Sequence, residues 1–337
     1  MDVIFPGDIT TVIHVEESTQ IGQARRAATL AASACGFDEA DTGRVALVVT
    51  ELATNLIKHA TRGDIHIARV PGKGTYGVEV IAIDRGPGFN LADCLPDGFS
   101  TGGTRGEGLG AVRRQAQVMD IHADERGAVV LARMYPKGFA DADIRFGASQ
   151  HALHDEPECG DGWAMAFHDG AVSVVVVDGL GHGPAAHVAA EAGIVEWQAG
   201  PSADPVDLMA SLNVAMTGTR GGAVALARFD TTRGSLRYAG IGNIAGYLLA
   251  PESSRGLASH PGIVGARARR AQAFDFPEAA GRLLVLHSDG LQSRWHLDDY
   301  PGLAGRHPAV ITALLHRDFS RGRDDVTVFA IRLEASR

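Results

Sequence analysis

The sequence predicts an α/β sandwich followed by a β-sandwich flanked by helices. Three observations predict it. The chain has 337 residues, which suggests two domains. Up to Tyr135, long helical patterns alternate with strand patterns. From Gly147 the texture turns to apolar β-rich runs, with helices only in the intervals.

The elements follow in order. Val3–Phe5 is apolar but is cut short by Pro6-Gly7, so no element is assigned there. Thr10–Val15 reads as a short strand. Ser18–Ala34 is rich in Ala and Arg and reads as a helix with Ser18 as N-cap and Gly36 as its stop. Asp38–Ala60 is the longest helical pattern, with Val45, Val48, Val49, Leu52, Leu56 and Ile57 close to a 3.6-residue stripe. Ile65–Val70 and Tyr76–Asp84 read as strands joined by the turn Pro71–Gly74. Gly108–Met119 reads as a helix and Ala128–Tyr135 as the closing strand. The division expected is residues 1–137, a connection at 138–146, and residues 147–337. In the second part, strands are expected at Trp163–Phe167, Ala171–Asp178, Gly222–Asp230, Ser235–Ile241, Ile244–Ala250, Arg282–Asp289 and Val326–Leu333. Helices are expected at Pro184–Gln198, Pro205–Met216 and His307–Arg317.

Composition narrows the function. A net charge of −9 argues against a nucleic-acid partner, which needs a basic surface. The three cysteines are widely spaced with no CxxC pair, so zinc and redox chemistry are poorly supported and reduced thiols are expected. The first ten residues carry Asp2 and Asp8 and no basic segment, unlike a secretory leader. No apolar run approaches the ~18 residues that span a bilayer. A cytoplasmic protein with no membrane partner is expected.

Two constellations carry chemistry. In the first part, Glu51 and Asn55 are four residues apart and share a helix face, and His59 continues the line. Spacing alone also describes a solvated polar stripe. The strand ending at Asp84 then runs into Asp84-Arg85-Gly86-Pro87-Gly88, where a carboxylate can accept from an exocyclic amine and glycines admit close approach. The glycine-rich run Thr101-Gly102-Gly103-Thr104-Arg105-Gly106-Glu107-Gly108-Leu109-Gly110 opens a helix, whose N–H groups suit phosphate. In the second part, Asp161, Asp178, Asp289 and Asp324 sit where strands end or turns begin. Any single Asp-Gly is more commonly a turn. Four carboxylates brought to one sheet end would need divalent cations to offset their charge.

In its first part the chain resembles the GHKL ATPase/kinase superfamily, with an N-box, G1 box and G2 box in this order. Val48–Asp120 resembles the serine/threonine anti-sigma kinases, with Glu51-Leu52-Ala53-Thr54-Asn55 and Asp97–Thr101 similar to switch-protein kinases of the RsbT type. The resemblance implies a Bergerat-type fold that binds ATP. Asn55 would hold Mg²⁺ and Glu51 would orient or deprotonate an attacking serine. Asp84 would bind adenine. His59, Gly86, Gly88, Thr101, Gly102, Gly103, Gly106, Gly108, Leu109 and Gly110 would complete the nucleotide site. The second part, on Asp178-Gly179-Leu180-Gly181-His182-Gly183 and Asp324-Asp325-Val326-Thr327, resembles PPM-type Ser/Thr phosphatases of the SpoIIE/RsbX branch. This implies two Mg²⁺ or Mn²⁺ ions held by Asp178, the carbonyl of Gly179, Asp161, Asp289 and Asp324. Adjacent strand residues face opposite ways, so of Asp324 and Asp325 only one is expected at the metals.

Together the resemblances imply a bifunctional regulator of a partner-switching pathway. One part would phosphorylate a STAS-domain antagonist protein and the other would reverse it, with an anti-sigma or downstream switch protein as further partner. The alternative is a phosphatase whose first part binds nucleotide and partner without phosphorylating anything. Glu51 favours the kinase, because a pure binder needs no carboxylate beside the metal ligand. Both activities running together would waste ATP, so one is expected to gate the other.

Overall fold

The computed structural model describes residues 3–60, 62–88, 108–168, 170–250, 253–266 and 271–336. They fall into two compact units. The α/β unit is Thr10–Arg145 with His296–Arg317, and the β-sandwich unit is Met1–Ile9, Phe146–Trp295 and Asp318–Arg337. The mixed α/β expectation holds. The units nevertheless differ from a contiguous division at 137 and 147, because residues 1–9 and 296–317 each group with the other part of the chain.

The α/β unit is one antiparallel sheet with helices on one face. Its strands are β2 (Thr11–Val15), β3 (Gly63–Gly72), β4 (Thr75–Asp84), β5 (Val118–Asp124) and β6 (Gly127–Met134), in the order β2-β3-β4-β6-β5. Helix α1 (Ser18–Ala34) follows the predicted bounds, but its N-cap is Glu17, whose N–H donates to Gln20 Oε1 at 2.6 Å. Glu17 and Gln20 thus form a reciprocal capping box one residue before the N-cap assigned to Ser18. Helix α2 (Glu39–Asn55) is capped by Asp38, which accepts from the Asp41 N–H at 2.6 Å. Its stripe Val45, Val48, Val49, Leu52 packs with Ala24, Ala28 and Ala32 of α1 on Ile65, Ile67, Val80 and Ala132 of the sheet. After Asn55 the chain makes one π-helical turn, Leu56–Ala60. Helix α3 is Gly108–Gln115, shorter than expected. Val118 and Met119 instead begin β5, because the open edge of β6 offers a full ladder of backbone partners from Val118 to Asp124.

Every residue of β6 is buried, so both faces of the sheet are covered. Segment 296–317 supplies contacts on the face away from the helices: the ring of His316 meets that of His66 edge-on, with centroids 5.9 Å apart. On that face Arg133 pairs with Glu79 across the strands at 2.7 Å and donates to Asp143 and to the Ile144 carbonyl. His307 Nε2 lies 3.2 Å from Asp143.

The β-sandwich unit has two antiparallel sheets. One is β1-β8-β9-β10-β11-β14 and the other β13-β12-β15-β16-β7. The first comprises β1 (Val3–Pro6), β8 (Asp161–His168), β9 (Ala171–Gly179), β10 (Gly222–Asp230), β11 (Ser235–Ile241) and β14 (Phe274–Phe276). The second comprises β7 (Phe146–His151), β12 (Ala245–Ala250), β13 (Ser253–Leu257), β15 (Leu283–His287) and β16 (Val326–Arg332). Phe146, Trp163 and Phe329 fill the space between the sheets, with centroids 5.3–6.1 Å apart. Helices α4 (Pro184–Gln198) and α5 (Pro205–Ala215) cover the first sheet through Ala189, Ala190, Trp197, Leu208, Met209 and Leu212. Helix α6 is Pro308–Phe319. The unassigned Val3–Pro6 is an edge strand on β8, with Pro6 closing the pairing.

Candidate functional site

The acidic site begins with strand register. Asp161 and Asp178 are directly paired across β8 and β9, so two carboxyl-bearing residues face each other at one sheet end. The backbone N–H of Asp289 donates to the Asp178 carboxylate, which brings the β15 end to the same place. Burial and the charges of Asp289 and Asp324 push Asp178 up to about 7. Burial, opposed by a backbone N–H and joined by the charges of Asp289 and Asp325, also raises Asp324. Asp178, Asp289 and Asp324 are therefore within electrostatic reach of one another.

Asp161 and Asp325 sit deeper. Asp161 is 4% exposed and is driven well up by burial and by Asp178. Ser288 Oγ donates to its Oδ2 at 2.6 Å, and Ser288 Oγ in turn accepts from the Thr327 N–H at 3.0 Å. Asp325 accepts from the Leu153 N–H at 2.7 Å and from the Gly160 N–H at 2.6 Å. Both its oxygens are thereby engaged by backbone, and Asp324 is left as the partner of Asp178. Gly179 must be glycine, since a β-carbon there would lie 2.2 Å from the Ala186 carbonyl oxygen. Gly181 and Gly183, at φ +83° and +74°, carry the chain in the left-handed region to the start of α4. His182 pairs loosely with Glu156 at 3.9 Å.

Two residues of this site were not read from the sequence. Asn243 Nδ2 donates to Asp289 Oδ2 at 2.6 Å, and Ser288 holds Asp161. Asn243 lies just after β11 in a Gly-Asn pair, an ordinary turn signal. Only the pairing of strands reveals it.

The donor set is all oxygen and strongly negative. That chemistry fits a hard divalent cation, and Asp178, Asp289 and Asp324 could hold one.

In the α/β unit, Glu51 and Asn55 end α2 side by side. A β-carbon on Gly108 would lie 3.2 Å from Asn55 Oδ1 and 3.3 Å from Glu51 Oε2, so the start of α3 abuts both. Leu109 and Gly110 continue α3. Asp84 Oδ1 accepts from the N–H groups of Gly86 at 2.8 Å and Ala128 at 3.2 Å, which orients the carboxylate at the strand end. Gly88, at φ +64°, and Gly127, at φ +127°, permit a backbone crossing where a β-carbon would meet a carbonyl oxygen at 1.9 Å and 2.1 Å. His59 stands exposed in the π-helical turn, where the 3.6-residue period that aligned it with Asn55 no longer applies. Thr101, Gly102, Gly103 and Gly106 lie outside the described residues.

Comparison with known proteins agrees with this geometry. Residues 15–134 match the histidine kinase-like ATPase domain, and residues 168–334 match the stage II sporulation protein E (SpoIIE) family. The chain is 35% identical over 103 residues to the serine/threonine-protein kinase RsbT of Bacillus subtilis, covering 30% of this chain and 77% of RsbT. A structure described under the bacterial stressosome, a modular system adapted to control secondary messenger signalling, matches at 27% identity and a TM-score of 0.51. It covers 56% of this chain and 98% of that one. RsbX in complex with magnesium matches at 22% identity and a TM-score of 0.49, over 54% of this chain and 92% of RsbX. The chain thus belongs, through its α/β unit, to the RsbT family of serine/threonine-protein kinases, and joins to it a SpoIIE-type PP2C phosphatase domain.

Proposed function

We propose that this chain is a two-headed regulator of a partner-switching pathway. The α/β unit phosphorylates a serine of a STAS-domain antagonist, and the β-sandwich unit removes phosphate from serine or threonine of that same protein. The observation that carries the phosphatase half is the mutual charge of Asp178, Asp289 and Asp324. Three carboxylates held against their own repulsion support a site for Mg²⁺ or Mn²⁺. When bound, a pair of such ions supplies the positive charge that eases deprotonation of a water and offsets the phosphoester. Asp178, Asp289 and Asp324 with the Gly179 carbonyl would hold the ions, and Asp161, fixed by Ser288, would complete one side. Asn243 aims Asp289. The chain needs no nucleophile of its own.

For the kinase half, Asn55 would hold the Mg²⁺ that accompanies ATP, Asp84 would receive the adenine, and Glu51 would take the proton of the attacking serine hydroxyl. The adjacency of Glu51, Asn55 and Gly108 supports this reading over a nucleotide-binding module without phosphotransfer. Phosphoryl transfer rests on positioning and charge neutralisation, which these groups supply. An anti-sigma or downstream switch protein is the further partner. The test is incubation with a serine-phosphorylated STAS protein and Mn²⁺, and separately with its unphosphorylated form and Mg-ATP. Phosphate release abolished by Asp178→Asn, and phosphotransfer abolished by Glu51→Ala with ATP still bound, are expected. Phosphotransfer surviving Glu51→Ala rejects its role as base.

A further inference from the structure

The α/β unit includes a late piece of the chain, His296–Arg317. Its anchors within that unit are specific. The Arg126 guanidinium lies 3.9 Å over the ring of buried Tyr300, and Arg126 Nη2 donates to the Asp299 carbonyl at 2.5 Å. Arg306 Nη1 pairs with Asp120 Oδ1 at 3.1 Å, and the His307 N–H donates to Asp120 Oδ2 at 2.6 Å. The ring of His316 meets that of His66 edge-on. Arg317, buried at the end of the segment, donates from Nη1 to the carbonyl oxygen of Asp84 at 3.1 Å, and Arg85 Nη2 donates back to the Arg317 carbonyl.

Two of these anchors bear on Asp84, the residue proposed above to receive the adenine. Asp84 ends β4, and β6 pairs with β4 only as far as Ile83 and Val129. The strand thus leaves that ladder at the residue whose placement matters most, and Arg317 holds it there by its backbone. The second anchor acts through the β5–β6 turn. Arg126 in that turn is bonded to Asp124 and lies on Tyr300. A β-carbon on Gly127 would lie 2.1 Å from the Asp84 carbonyl oxygen, and one on Gly88 would lie 1.9 Å from the Asp124 carbonyl oxygen. The turn and the Asp84–Gly88 loop are therefore pressed together. Inside this frame Asp84 Oδ1 accepts from the Gly86 and Ala128 N–H groups, which sets the direction of the carboxylate.

We propose that segment 296–317 is a positioning strap of the nucleotide site, and that Arg317 is a positioning residue that sets the Asp84 carboxylate for the exocyclic amine of adenine. This deepens the function proposed above and rests on its assignment of Asp84. The α/β unit takes part of its base-recognition frame from residues far along the chain. A carboxylate accepts from an amine and repels a carbonyl oxygen. Correct placement is therefore read as a preference for adenine over hypoxanthine, which carries a carbonyl oxygen where adenine has the amine.

The test uses the full chain and calorimetry with the magnesium complexes of ADP and of inosine diphosphate, which differ only along one edge of the base. The unaltered chain is expected to bind ADP about tenfold or more tighter than inosine diphosphate. Arg317→Met is expected to weaken ADP by about tenfold and inosine diphosphate far less, so that the preference collapses. Arg317→Lys keeps a donor for the Asp84 carbonyl and is expected to restore most of it. A role in folding alone would lower both affinities together, and an unchanged ratio in Arg317→Met overturns the proposal. Should that variant fail to fold, Arg85→Met removes the reciprocal bond from an exposed side chain and is expected to narrow the same preference. Hydrogen exchange on the unaltered chain reads the strap directly: at equal saturation, ADP is expected to protect residues 124–128 and 299–317 more than inosine diphosphate does. A preference for ADP untouched by either variant, with equal protection by both nucleotides, removes the strap and leaves Asp84 in its role. An unaltered chain that binds no ADP, or binds both nucleotides alike, overturns the assignment of Asp84 and the strap with it.

Discussion

At the scale of residues, the aspartates of the acidic site divide by what holds them. Asp325 stabilises the fold, because two backbone N–H groups depend on it. Asp178 destabilises the cation-free fold, because it is buried among like charges. Opposite outcomes follow for similar substitutions. Asp325→Ala is expected to lower stability by about 3 kcal/mol, since it strands two buried donors. Asp178→Asn is expected to raise the melting temperature of the cation-free protein above pH 7 while abolishing phosphatase activity. A melting temperature lowered by Asp178→Asn would show that the carboxylates do not repel as described. The titration gives a further expectation. Asp178 is raised to about 7, so below that pH it carries a proton that a cation must displace. Mn²⁺ binding is expected to weaken by up to about tenfold per pH unit below 7. Calorimetry in buffers of different ionisation enthalpy measures the released proton directly. Of this site, the Asp-Gly contexts in family order were legible in the sequence. Ser288 and Asn243 were not, because each acts by reaching across strands distant along the chain.

At the scale of elements, most helices and strands follow from periodicity, and the misses have a common cause. The stripe of α2 and the run of β9 show their period within their own residues, and both stand where predicted. Val3–Pro6, Val118–Asp124 and Phe146–His151 are strands only because β8, β6 and β16 offer them a ladder. Local propensity does not contain that information. The same dependence makes the β9–α4 turn unforgiving. Gly179→Ala places a methyl group 2.2 Å from the Ala186 carbonyl oxygen, and either α4 or the end of β9 must move. A loss of about 2–3 kcal/mol is expected, as for other overpacked sites, together with weaker metal activation. Urea unfolding read alongside the Mn²⁺ midpoint checks both, and an unchanged midpoint would separate this turn from the acidic site.

At the scale of the whole molecule, the buried histidines and the acidic site respond to acid with opposite sign. Burial holds His66 down to about 3, and His307 and His316 to about 4, so all three are neutral in the folded α/β unit. Their unfolded forms take up protons below about pH 6.5. Stability from these groups is complete above that pH and falls as pH drops toward 4. Asp178 behaves in reverse: its folded value is raised, so the penalty it places on the cation-free β-sandwich unit is relieved as pH drops from 7 toward 4. Unfolding monitored between pH 7 and 5 is expected to show the α/β unit losing several kcal/mol first. Simultaneous loss of both units, or none, contradicts this. The division of the chain has a consequence for biosynthesis. The ribosome releases Val3–Pro6 long before β8 exists to receive it, and the entire RsbT-like sheet before the covering stretch 296–317 is made. The α/β unit is complete only once 296–317 is made and the β-sandwich unit only with 318–337, so both are expected to finish folding late in translation, and a messenger cut between the halves yields two products that each lack a piece carried by the other.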